Sequence, residues 1–159
     1  MYSFGTDEYI GHAVKLCSQS MLRAAYTVLH CTADAEDAAQ EAFVRLMTRQ
    51  PSLRDDEHMK AWLLRVTINI ARNMHRAQAR AGQPIDEQIP CPPGEDGELL
   101  ELVLSLPEKY STAIHLYYYE GYSINEIADI LMIPPATAGT RLARGRKMLK
   151  EMLEGESKP

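Results

Sequence analysis

Thr137, Thr140, Arg141 and Arg144 fall at intervals of three and four near the end of the chain, which puts two hydroxyls and two guanidiniums on one helix face. Groups of that kind reach phosphate oxygens and the O6/N7 edge of guanine. A second polar stripe, Arg65, Asn69, Arg72, Asn73 and Arg76, repeats at the same helical intervals inside the run from Lys60 to Arg80. Arginine and asparagine pair with guanine and adenine edges, and arginine also neutralises phosphate. The second stripe is equally compatible with a solvated helix face, and the first could be the solvated basic face of an ordinary helix pair. A third cluster is acidic: Asp34, Glu36, Asp37 and Glu41, with Gln40 among them. It suits compensation of a helix dipole or a docking face for a basic partner helix, and sequence physics does not choose between them.

Other chemistries find little support. Cys17, Cys31 and Cys91 are an odd, scattered set with no Cys-x-x-Cys pair, and the five histidines are dispersed with none paired at i+4. Neither a disulfide framework nor a zinc site is expected from that spacing. With no Gly-rich phosphate loop, no Ser or Cys beside a plausible base and no paired carboxylate pocket, we expect no catalytic residue, no cofactor and no small-molecule substrate. The N-terminus carries acids early and lacks the basic-then-apolar order of a signal peptide, and no stretch approaches the length of a membrane span, so a cytoplasmic protein without direct membrane insertion is expected.

The net charge of -5 hides a segregation. His58–Ile85 contains no acid, Asp86–Glu101 contains six acids and no base, and the charges of Pro134–Lys150 are all basic. Two basic faces could meet nucleic acid, leaving acidic surfaces for something else.

The elements that would position these stripes are all helical. Ile10, Val14, Cys17, Met21, Ala24 and Val28 predict a long amphipathic helix over about residues 7–30. A second is expected to start at Asp34 as N-cap, to bury Ala39, Phe43, Leu46 and Met47, and to end before Pro51. A third is expected over about 57–80, with Met59, Leu63, Val66, Ile70 and Met74 inward and Trp62 as a core anchor. The segment from Ala81 to Gly97 holds four prolines and three glycines without apolar periodicity, which is linker composition. Beyond it, a short helix over ELLELVLSL and a helix opened by Pro107 and closed by Gly121 are expected. Ser123 and Glu126 match a capping box that starts another, to about Leu131. After the turn at Met132–Pro135 a basic helix should run to about Leu153, with Leu142, Met148 or Leu149, and Leu153 inward. Two helices joined by this turn, the second basic, are the parts of a helix-turn-helix; an ordinary antiparallel helix pair is the alternative. The fold expected is all-α: two small helical domains, residues 1–80 and 98–159, joined by a flexible Pro- and acid-rich linker over 81–97, with the helix-turn-helix in the second.

The stretches AEDAAQEAFVRLM and KAWLLRVTINIARNMHRAQAR resemble the second conserved region of bacterial sigma factors, and LLELVLSLPEKYSTAIHLYYYEGYSINEIADILMIPPATAGTRLARGRKML resembles the fourth. Two regions with only a linker between them is the layout of the extracytoplasmic-function type. The resemblance implies an alternative sigma factor that binds core RNA polymerase and directs promoter-specific transcription initiation without bond chemistry of its own. It places Asp37, Gln40 and Glu41 on the face that docks on polymerase. It puts the loop Pro51–Asp56, with Arg54, where a flipped base of the minus-ten element is captured, and Arg65, Asn69, Arg72, Asn73 and Arg76 on the face that meets the melted strand. Thr137, Thr140, Arg141 and Arg144 match the helix that reads the minus-thirty-five element. A sequestering anti-sigma factor is a further partner the resemblance suggests.

This chain departs from the family pattern in several places. Met132 replaces the usual turn Gly, Pro135-Ala136 a Val-Gly pair, and Ala138 and Gly139 stand where Val and Lys are common. Arg72 and Asn73 stand where Leu and Asp are frequent. These departures predict an unusual promoter preference or weaker binding by the fourth region. The competing readings are a stand-alone helix-turn-helix regulator, expected to dimerise on a palindrome, and an interaction protein whose basic faces bind an acidic partner.

Overall fold

The computed structural model describes residues 7–82 and 97–157, and every regular element among them is helical. The chain divides into two compact units, Met1–Ile89 and Pro90–Pro159. The Pro- and acid-rich segment read as a linker, and Cys91 within it, lie largely outside the described residues.

The first unit packs three helices pairwise, α1 (Asp7–Leu29), α2 (Thr32–Arg49) and α3 (Asp56–Arg80). None could stand alone in water, and each buries a stripe against the other two. Small side chains bring α1 and α2 together: Ala13, Ala24, Ala25, Ala38 and Ala42 are fully buried, around Met21, Leu46, Leu63, Leu64 and Ile68. The α1 stripe departs from the expected one at its first two positions only. Tyr9 and Ala13 are buried while Val14 is 40% exposed and Ile10 is half-buried, so the inward line runs Tyr9, Ala13, Cys17, Met21, Ala24, Val28. A four-residue step from Cys17 leads back to Ala13, and a close helix contact favours the smaller residue there.

Further expectations for this unit need correction. α2 begins at Thr32 with Cys31 as N-cap, three residues before the expected N-cap Asp34; Cys31 is extended and makes no side-chain cap, while Asp34 lies inside the first turn. Met47 faces solvent at 44% exposure because Leu46 and Ala42 take the inward positions, and Phe43 is only half-buried. Trp62 is likewise half-buried, outside the sealed core formed by its neighbours Leu63 and Leu64. α3 is capped by Asp55, whose carboxylate accepts the His58 N–H at 2.8 Å.

The second unit contains α4 (Gly97–Ser105), α5 (Glu108–Ile114), α6 (Ile124–Leu131) and α7 (Pro135–Ser157). α5 does not run on as an α-helix through the tyrosines. Residues His115–Tyr119 form a π-turn, closed by the Glu120 N–H donating to the His115 carbonyl at 3.2 Å. The wider turn keeps His115 and Leu116 buried, leaves Tyr118 outside, and stacks the His115 ring on Tyr119 at 5.8 Å. His115 Nε2 lies 3.7 Å from Glu120 Oε1, with both side chains buried. Gly121 then turns the chain with φ 76°.

The capping box is formed as expected: Ser123 Oγ accepts from the Glu126 N–H at 3.1 Å, and Glu126 Oε1 accepts from the Ser123 N–H at 2.9 Å. α6 buries Ile127, Ala128, Ile130 and Leu131 and ends at Met132, which is left-handed at φ 57°. Ala138 and Leu142 of α7 complete this core, but Leu153 is 46% exposed, lining an open cleft with Leu99, Val103 and Ile114.

Candidate nucleic-acid interface

The helix-turn-helix is α6, the Met132–Pro134 turn and α7. The Ala138 side chain is fully buried, so this position still packs, with a methyl in place of a larger group. Thr140 and Arg144 are exposed on α7, and Thr137 and Arg141 are half-buried on the same face. The Thr140 hydroxyl donates to the Ala136 carbonyl at 3.0 Å, which leaves its oxygen lone pairs outward as acceptors. All four residues line a single cleft of about 320 Å³ together with Lys109 and Tyr110 from the start of α5. Hydrogen bonding from Arg144, with the nearby Lys109 charge, holds the Tyr110 phenol below its ordinary pKa. Lys109 Nζ sits 5.1 Å from the Tyr110 ring centroid.

Sequence reasoning missed Lys109 and Tyr110. A basic–aromatic pair after Pro107 is no signal by itself; only the crossing of α5 and α7 brings it to the recognition face. Gly145 sets that crossing. A Cβ built there would lie 2.8 Å from Ile114 Cγ1 and 3.5 Å from Tyr110 Cβ. Arg146 points elsewhere, over the rings of Tyr117 and Tyr118 at 5.3 and 5.6 Å.

On the first unit, Arg65, Asn73 and Arg76 are exposed and Asn69 and Arg72 half-buried, forming one stripe along α3 away from its buried Leu63, Val66 and Ile70. Arg54 is exposed in the segment that leads into α3, and its backbone N–H donates to His58 Nδ1 at 3.1 Å. His12 Nε2 meets Asp56 Oδ1 at 2.9 Å, so α1 also ties down the end of this segment. His12 and His58 were not singled out in the sequence, since an isolated histidine carries no spacing signal.

The acidic cluster is divided by its contacts. Asp34 accepts a 2.8 Å hydrogen bond from Gln78 Nε2 of α3 and is half-buried. Asp37, Gln40 and Glu41 are exposed, with Glu41 3.4 Å from Arg45 Nε, and the same face continues to the exposed Val44 and Met47. Among the described residues no group of three or more His, Cys, Asp or Glu comes together as a metal site, and no helix is long and apolar enough to cross a membrane.

Comparison with known proteins places these faces in a family. Residues 14–81 match the family described as Sigma-70 region 2, and residues 96–149 match Sigma-70, region 4. The chain is 30% identical to the ECF RNA polymerase sigma factor SigW of Bacillus subtilis over 94% of its own length and 91% of the relative's. The chain belongs to the ECF family of RNA polymerase sigma factors. The ECF RNA polymerase sigma-E factor of Escherichia coli is another relative, 30% identical over 76% of this chain and 74% of that one. The fold is also that of the sigma factor RpoE in a co-crystal structure with the anti-sigma factor NepR from Bartonella quintana, at TM-score 0.78 and 21% identity, covering 94% of this chain and 98% of that one.

The protein is thus an alternative sigma factor that directs transcription initiation, and the expectations of an all-α chain and of family membership hold. The matched region 2 carries the α2 acids and the α3 stripe, and the matched region 4 carries the α6–α7 helix-turn-helix.

Proposed function

We propose that this sigma factor docks on core RNA polymerase through Asp37, Gln40 and Glu41, and holds promoter DNA through two separate basic faces. Arg65, Asn69, Arg72, Asn73 and Arg76 of α3, with Arg54 in the preceding loop, take the melted minus-ten strand. Thr137, Thr140, Arg141 and Arg144 of α7 take the duplex minus-thirty-five element. The functional boundaries are a region 2 domain over 1–80, a linker over 81–97 and a region 4 domain over 98–159.

The observation that carries this reading is the separation of charge by helix within one three-helix unit: exposed acids on α2, an exposed Arg/Asn stripe on α3. An acidic face continued by the apolar Val44 and Met47 suits a protein partner of opposite charge better than DNA, whose phosphates it would repel. The α3 stripe offers cations for phosphate together with Asn amides for bases. Each DNA contact can be weak alone, because tethering the two units raises the effective concentration of the second contact once the first has formed.

The sigma factor supplies no bond chemistry; the polymerase does that, and the chain works in the cytoplasm. A protein that sequesters the docking and DNA-binding faces is the regulatory partner that fits, an anti-sigma factor in function. Transcription from genomic fragments with core polymerase of the same organism tests the reading. Defined new transcripts should appear with the sigma factor and vanish with Asp37→Arg. A stand-alone regulator would instead bind duplex DNA tightly by itself and leave polymerase unbound.

A further inference from the structure

The Arg144 guanidinium is not held by α7. It lies on an exposed helix position with the long, rotamer-rich side chain that ordinarily stays mobile there. A candidate partner comes from another helix: Tyr110 lines the same cleft as Arg144, Thr137, Thr140 and Arg141, and Arg144 is the first cause of its lowered phenol pKa. Two further features make this arrangement specific. Gly145, the residue after Arg144, is buried with no side chain, and α5 uses that space, so Tyr110 Cβ comes within 3.5 Å of where a Gly145 Cβ would stand. Lys109 Nζ sits 5.1 Å from the Tyr110 ring centroid, a second cation beside the same phenol.

We propose that Tyr110, outside the recognition helix, is a positioning residue that aims the Arg144 guanidinium at DNA, with Gly145 setting the helix crossing that makes the contact possible. A guanidinium fixed by one N–H still has its remaining donors for a phosphate or a guanine edge. Fixing it in advance removes part of the ordering cost of binding. The lowered pKa of the phenol agrees with a cation held against its oxygen. The DNA part of this inference rests on the proposed role of α7; the tether itself does not.

The experiment therefore reads the two separately. In the ¹⁵N-labelled full chain, the Arg144 Nε–Hε signal is assigned by its loss in Arg144→Lys. We expect a distinct resonance that moves to the crowded position of free arginines in Tyr110→Phe, which keeps the ring and removes only the hydroxyl. An Arg144 signal identical in wild type and Tyr110→Phe overturns the proposal.

In holoenzyme on the strongest promoter fragment, Tyr110→Phe should weaken binding about three- to tenfold, the range of one hydrogen bond. The same change should cost nothing further when Arg144 is already Ala. A full Tyr110→Phe loss that persists in the Arg144→Ala background also overturns it. If Arg144→Ala itself leaves promoter binding unchanged while the resonance still responds to Tyr110→Phe, the tether stands and the assignment of α7 to the minus-thirty-five element fails.

Discussion

Gln78 Nε2 of α3 donates a 2.8 Å hydrogen bond to Asp34 Oδ2 of α2, and this contact separates one acidic residue from the face formed by Asp37, Gln40 and Glu41. Asp34 is committed within the unit and the other three face outward. Replacing Gln78 by Ala should therefore destabilise region 2 by about 1 kcal/mol, the net worth of one such bond. Thermal melting with a polymerase co-elution assay checks it. The midpoint should fall by a few degrees while polymerase binding is kept, and loss of polymerase binding in the folded variant would place Asp34 on the docking face after all.

Two glycines of α7 should behave in opposite ways. Both lower helix propensity by about 1 kcal/mol relative to Ala. A Cβ at Gly139 meets nothing within 4 Å, so Gly139→Ala should stabilise region 4 by about that amount. A Cβ at Gly145 would lie 2.8 Å from Ile114 Cγ1, and overpacking of this kind costs about 1–3 kcal/mol. Hydrogen exchange of the α7 amides should slow in the first variant and quicken or stay level in the second. Equal stabilisation by both would contradict the tight α5–α7 crossing.

Met132 ends α6 in the left-handed region at φ 57°, a conformation that favours glycine. A side chain in that conformation costs about 1–2 kcal/mol. Met132 is 58% exposed, so its removal forfeits little burial. Met132→Gly should raise the stability of region 4 by up to about 1 kcal/mol after the larger chain entropy of glycine is subtracted. Denaturant unfolding followed at the second unit checks it, and a loss of stability would mean that the Met132 side chain contributes more than its strain.

Much of this architecture was legible in the sequence because its signals are local. The capping box at Ser123 and Glu126, the helix stop at Gly121 and the 3–4 periodicity of α3 each depend on residues within a turn or two of one another. What was not legible depended on neighbours distant in sequence. The shift of the first two inward α1 positions to Tyr9 and Ala13, the outward turn of Met47 and the half-burial of Trp62 follow from which helix packs against which, since apolar periodicity leaves a choice between adjacent positions. The π-turn at His115–Tyr119 has no propensity signal, and the exposure of Leu153 depends on the open cleft it lines with Leu99 and Ile114. Among the site residues, the stripes on α3 and α7 could be seen as stripes. Lys109 and Tyr110 could not, because their place beside Arg144 exists only through the missing side chain of Gly145.

The α3 stripe should act mainly on the salt-sensitive step. Arg65→Ala and Arg76→Ala should each lower the slope of log affinity against log salt for single-stranded minus-ten DNA in holoenzyme by about 0.7, the value for one phosphate contact on a single strand. Asn69→Ala should change sequence preference with little change in slope. Identical slopes for all three variants and wild type would remove phosphate contact from the account.

Multi-round transcription with core polymerase from the same organism, comparing wild type with Asp37→Arg, tests the central claim most directly. Asp37 is exposed and outside the core, so the variant should fold. The account predicts defined transcripts with wild type, none with Asp37→Arg, and loss of co-elution with core polymerase in the variant alone. Full transcription by a folded Asp37→Arg protein would contradict the α2 docking face, and no transcription or co-elution by wild type would contradict the proposed mode of action as a whole.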